Sequence, residues 1–518
     1  MRYSSWFTAS KDNAEPAFAI LIFQIMRRVP VTTLLFLFAA LVFQSCSRFQ
    51  PKPSAIDRLK PCATAEGPTD AYCGKFDVWE NRSTQSGRKI ALKIVVLPGM
   101  RRNAASDPLF FLAGGPGQGA AKLAKGLREI FRNVQVDRDL VLVDQRGTGD
   151  SSPLVCKHDD DKLDQTPEAS IEKLRACLTT EQSKADLRLY TTTIAMDDLD
   201  DVRRHLGYTR INLYGGSYGT RAAIVYTRKY APNVRSVVLD GVAPTDMRLP
   251  LYMARDGQRA LELMLRDCEQ DSGCRKRFPA LGERLTRLLD RLDKQPQHVH
   301  IVHPRTGAEL DIDVKRLMIS GALYSALYAP QMTALLPLLI ERAEKNDFQG
   351  FLALNSLGDS VADNMAEGMH FSVVCSEDAP RILPGSIQQQ TAGTFLGAEM
   401  AELRVKPCGF WPRGDVQETY YESPQIDVPA LILSGDLDPV TPPSWGQQVA
   451  SHWINSRHVV VPGTGHGTIN SGCVVNVVRQ FVNQGSAANL NVDCVQRVRR
   501  APFFLGPSGP DPQGATKQ

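Results

Sequence analysis

At 518 residues, with 43% hydrophobic and 22% charged side chains, the chain has the composition of a globular protein. It is long for one compact core, so two domains, or one domain with a large insertion, are expected. A formal net charge of +4 over that length argues against a nucleic-acid role driven by phosphate neutralisation.

Residues 1–46 read as a signal peptide. Arg27-Arg28 precede the apolar run 31–43, which is too short for a membrane span, and Gln44-Ser45-Cys46 follow. Asp12 and Glu15 before Met26 fit such a signal poorly, so translation is expected to start at Met26. The cysteine after Ser45 resembles a bacterial lipoprotein cleavage box, with Cys46 as the lipidated amino terminus; ordinary cleavage nearby is the alternative. Export to a bacterial cell envelope or periplasm is expected, with the membrane engaged only through such an anchor. Ten further cysteines fall in order into local pairs: Cys62 with Cys73, Cys156 with Cys177, Cys268 with Cys274, Cys375 with Cys408, and Cys473 with Cys494. An even set in an exported chain reads as disulfides, and nearest-neighbour pairing is the expectation, although sequence does not fix connectivity. No pair has the C-x2-C spacing that zinc sites favour.

Residues 47–72 read as a tether and 73–243 as the first part of a sheet-based core. Phe76, Val78 and Trp79 precede the run 90–97, which alternates around Lys93 and predicts an antiparallel strand at the sheet edge. Short apolar runs at 109–112, 140–143, 211–214, 234–239, 430–433 and 458–461 predict strands buried on both faces, as in a parallel sheet flanked by helices. Leu199, Val202 and Leu206 stand at helical spacing and should cover one face. From 244 to 424 amphipathic helices dominate (260–268, 281–292, 314–328 and 332–343), with a hairpin at 298–302 and 308–312. This block reads as a cap over the strand ends, where open α/β sheets place their active sites. Residues 425–500 resume the core, and 501–518, rich in Pro and Gly, are expected to be a disordered tail.

The chemistry centres on Gly215-Gly216-Ser217-Tyr218-Gly219, which follows an apolar run and opens a helix-compatible one. Such a turn presents a serine hydroxyl clear of the sheet with a helix N-terminus behind it. After the run 430–433 come Asp436 and Asp438; Asp438, fixed by Pro439, is the expected acid and Asp436 the fallback. After the run 458–461 comes Gly465-His466-Gly467, placing His466 as general base in the order serine, acid, histidine. Oxyanion donors are expected from the Tyr218 amide and from the loop Gly114-Gly115-Pro116-Gly117, with Gly115 favoured and Gly114 next. The loop has neither a Walker lysine nor G-x-G-x-x-G spacing, so it is not read as a phosphate cradle.

Together with Asp144-Gln145-Arg146-Gly147-Thr148-Gly149, these motifs resemble the proline iminopeptidase and tripeptidyl aminopeptidase group (peptidase S33) of α/β-hydrolases, over about residues 70–485. The resemblance implies an α/β-hydrolase fold, a mostly parallel sheet with helices on both faces and a large helical cap inserted before the last strands. It implies a Ser217, Asp438, His466 triad, no cofactor, and an exopeptidase acting from a free amino terminus. Ala113 stands where the family usually has histidine, which bears on substrate class. Binding a substrate ammonium requires carboxylates, and Glu377 and Asp378 are candidates. His298, His300 and His303 are read as hairpin surface rather than as a metal site. Two alternatives remain: a carboxylesterase acting on small esters with the same triad, and a catalytically silent binding module.

Overall fold

The computed structural model describes residues 55–64, 67–101, 104–156, 166–362 and 365–510. Within them, nine strands form one sheet in the order β1-β2-β3-β5-β4-β6-β7-β10-β11. The strands are β1 (Lys60–Thr64), β2 (Gly67–Trp79), β3 (Lys89–Leu97), β4 (Ala105–Leu112), β5 (Arg138–Val143), β6 (Ile211–Gly216), β7 (Val234–Asp240), β10 (Ala430–Gly435) and β11 (Ser456–Val461). The pairs from β1 to β3, and β3 with β5, are antiparallel; every later pair is parallel.

The apolar runs are strands because both faces are covered. Side chains alternate along β4 and β5: Phe110, Leu112, Val141 and Val143 enter one apolar cluster, and Leu109, Phe111, Leu140 and Leu142 the other. The helix Thr192–Leu206 covers the first face with Ala195, Met196, Leu199, Val202 and Leu206. The helix Val474–Gln484 covers the second with Val474, Val477, Val478, Phe481 and Val482.

Several boundaries differ from expectation. β3 is third in the sheet and not at its edge; the edge is β1, built from residues expected to be tether. The disulfide Cys62–Cys73 ties β1 to β2, an anchor that apolar patterning does not reveal. The cap is not one block from 244 to 424. Its own cluster runs from Ala254 through the hairpin β8 (Gln297–Val302) and β9 (Glu309–Val314) to Leu396. The helix Glu367–Glu377 instead packs Met369, Phe371, Val373 and Val374 into the core of the main sheet. The tail is ordered where described: Phe503 is buried in the cap cluster and the Phe504 amide donates to the Ala334 carbonyl at 3.0 Å. Residues 511–518, the signal-like segment, Met26 and Cys46 lie outside the described residues.

Candidate active site

The segment from β6 into the helix Tyr218–Tyr230 turns at Ser217, whose φ of 55° and ψ of −125° lie in a left-handed region that costs a non-glycine residue energy. What makes the turn possible is visible at its glycines. A Cβ on Gly219 would lie 2.0 Å from the Leu112 carbonyl oxygen, and one on Gly215 would lie 2.3 Å from that of Gly219. The Ser217 amide donates to the Asp240 carbonyl at 2.9 Å, fixing the turn to the end of β7. The loop after β4 lies against the turn, since a Cβ on Gly114 would be 3.3 Å from Ser217 Cβ. Gly115 has a φ of 112° and packs under the methyl group of Met365.

His466 and Asp438 come from the loops after β11 and β10. His466 Nδ1 stands 2.9 Å from Asp438 Oδ2. The carboxylate also accepts from the amides of Val440 and Thr441 at 2.8 Å each and from the Thr441 hydroxyl at 2.7 Å. Burial is the largest influence on both groups and opposes charge on each. It is outweighed: the His466 charge and hydrogen bond, with the loop amides, hold Asp438 below the usual carboxylate range. Asp438, with Asp240, in turn holds His466 above the ordinary imidazole value of 6.5. Asp436, the fallback acid, is engaged elsewhere, accepting from the Thr464 amide at 3.2 Å.

Ser217 and His466 each abut the end of β7. A Cβ on Gly241, the residue after Asp240, would lie 3.3 Å from His466 Cε1. Among the described residues no hydrogen bond joins the Ser217 hydroxyl to the imidazole; such contacts often tighten only when substrate binds. The cap closes over both loops. The His466 amide donates to the Tyr328 carbonyl at 2.8 Å, and the two rings meet edge-on with centroids 5.3 Å apart. The Ala366 amide donates to the Gly117 carbonyl at 2.9 Å. His370 Nδ1 lies 3.3 Å from the Pro116 carbonyl, and burial foremost pushes this imidazole down to about 4, so it is neutral near pH 7.

Glu377 and Asp378 do not form an open ammonium site, which corrects the expectation for that pair. Both are fully buried. Glu377 accepts from the Thr192 amide and hydroxyl at 2.6 and 2.9 Å and from the Tyr420 hydroxyl. Asp378 pairs with the buried Arg221 of the helix behind Ser217 at 2.9 Å. Their carboxylates brace that helix, and Thr192 carries the brace on to the Tyr218 hydroxyl at 2.6 Å. Arg146, in the Asp-Gln-Arg-Gly motif, is likewise a buried brace, its guanidinium held by Asp198 at 2.7 and 2.9 Å. His298 and His300 are exposed and pair across the hairpin with Asp313 and Asp311, while His303 Nδ1 accepts from the turn amides of Arg305 and Thr306. All five nearest-neighbour disulfides are present.

A family model described as "alpha/beta hydrolase fold" matches residues 107–292, and one described as "TAP-like protein" matches 393–494. The chain is 24% identical to serine protease Hip1 of Mycobacterium tuberculosis, over 91% of this chain and 99% of that protein. It is 21% identical to a tripeptidyl aminopeptidase of Streptomyces coelicolor, over 84% and 85%. It is 30% identical to a proline iminopeptidase of Neisseria gonorrhoeae over a shorter stretch, 27% of this chain and 34% of that one. With this fold and these relatives, the chain is a serine hydrolase of the α/β-hydrolase fold, similar to the proline iminopeptidases and tripeptidyl aminopeptidases.

Proposed function

We propose that Ser217, His466 and Asp438 act as a catalytic triad, and that the protein is an exported aminopeptidase releasing amino-terminal residues or short peptides. Ser217 Oγ attacks the scissile carbonyl carbon while His466 Nε2 takes its proton. Asp438 holds the Nδ1–H and stabilises the imidazolium. The amides of Gly115 and Tyr218 receive the oxyanion. Collapse of the tetrahedral intermediate returns the proton to the departing amine and leaves an acyl-enzyme, which water hydrolyses by the same sequence.

The observation that carries this reading is the 2.9 Å contact between Asp438 and His466, on loops that abut the strand end holding the Ser217 amide. A peptide substrate is supported by the names of the relatives. Export, to a bacterial envelope or periplasm with lipidation at Cys46, is supported by the five disulfides and the signal-like amino terminus. The test compares aminoacyl-nitroanilides with free and blocked amino termini against acyl-nitrophenyl esters. Turnover of the free-amine anilides is expected; turnover of esters alone would make the protein a carboxylesterase.

A further inference from the structure

Asp240 stands at the junction of two loops that its sequence position does not suggest it touches. Its backbone carbonyl accepts from the Ser217 amide at 2.9 Å. Its carboxylate faces the opposite way, towards the loop carrying His466. Oδ1 accepts from the amide and hydroxyl of Thr468, both at 2.9 Å. Oδ2 accepts from the Thr468 amide at 2.9 Å, the Ile469 amide at 3.1 Å and the Tyr214 hydroxyl at 2.6 Å. Thr468 and Ile469 lie two and three residues beyond His466. One residue therefore grips the base loop through its side chain and the serine turn through its backbone.

Burial, the largest influence, raises the pKa of the carboxylate, while every hydrogen bond it makes is one it accepts, which favours the ionised form. Of the charged groups acting on His466, Asp438 reaches it from one side and Asp240 is the other. Tyr214 and His466 are the titratable groups that act on Asp240 in turn. Burying a carboxylate is costly, and an apolar residue would close β7 at less expense to the fold.

We infer that Asp240 is a positioning residue that sets the base loop against the serine turn and supplies a second negative charge to the His466 imidazolium. The inference rests on the proposed roles of Ser217 and His466. Its test is the rate at which a fluorophosphonate labels Ser217, measured across pH, because this reads serine activation without needing the natural substrate. Asp240→Asn is expected to label roughly ten- to a hundredfold more slowly. The midpoint of its pH dependence should fall by about half a pH unit or more, as lost negative charge makes the imidazole easier to deprotonate. Tyr214→Phe keeps the charge and should move the midpoint less. Folded Asp240→Asn protein with the wild-type rate and midpoint would overturn the inference. Should that variant fail to fold, Thr468→Ala loosens the grip while keeping the charge: slower labelling with an unmoved midpoint is expected, and a wild-type rate would overturn the positioning role. Wild-type protein that resists labelling would instead sink the assignment of Ser217 itself, and this inference with it.

Discussion

The carboxylate of Asp438 is held by three donors of its own loop, and its Oδ2 still meets His466 Nδ1 at 2.9 Å. This contact fixes the tautomer: with Nδ1–H directed at Asp438, the free lone pair belongs to Nε2. Replacing the acid by an amide removes the charge and lets the ring take the other tautomer. Asp438→Asn should lower kcat by about 10^4-fold with KM changed little, checked by steady-state kinetics on the best anilide substrate. An effect below tenfold would shift the acid role to another carboxylate.

Activity should fall on the acid side at a higher pH than an unperturbed histidine gives. The base must be neutral, and Asp438 and Asp240 together outweigh burial and hold His466 above 6.5. Activity is therefore lost as pH drops through that raised value. Linked stability runs the opposite way: the raised histidine stabilises the fold fully at pH below its unfolded pKa, and this contribution disappears as pH rises through the folded one. A pH profile of kcat/KM whose acid limb has its midpoint above 6.5 is expected. Asp438→Asn should move that midpoint down.

The serine turn depends on two glycines and tolerates change at a third. Gly219→Ala and Gly215→Ala drive a methyl group into backbone oxygen at 2.0 and 2.3 Å, whereas the position at Gly216 meets nothing nearer than 4.0 Å. The first two should cost about 3 kcal/mol or more in thermal or urea unfolding. Gly216→Ala should stay within about 1 kcal/mol of wild type.

Glu377 and Asp378 separate a structural brace from an ammonium site. Asp378→Ala takes the nearer of two carboxylates from the buried guanidinium of Arg221, leaving Glu377 at 3.6 Å, and should destabilise the protein by about 3 kcal/mol. The loss should be equal whether the assay substrate is amino-terminally free or blocked. A selective rise in KM for free-amine substrates, with stability intact, would restore the pair to substrate recognition.

The central strands could be read from the sequence because each is a short apolar run buried on both faces, and the loops that bring Asp438 beside His466 because turn residues surround both side chains. What escaped depends on contacts remote in the chain. Asp240 finds Thr468 across 228 positions, and Glu377 finds Thr192 across 185. A carboxylate closing an apolar strand just before glycine, as in Leu239-Asp240-Gly241, was the local sign that it has a buried partner. Glu377 and Asp378 read as ammonium candidates because nothing nearby in sequence betrays Arg221 or Tyr420. The edge strand β1 and the docked Phe503 escaped for a related reason: a disulfide holds one and the cap's apolar surface the other, with no periodic pattern in either.

The central claim is that His466 and Asp438 activate Ser217 as the nucleophile. Intact-mass and peptide-mapping analysis after fluorophosphonate treatment tests it most directly. The account predicts a single adduct on Ser217 in the wild type, nearly abolished in His466→Ala at the same exposure. An adduct on another residue, or undiminished labelling of Ser217 without the imidazole, would contradict it.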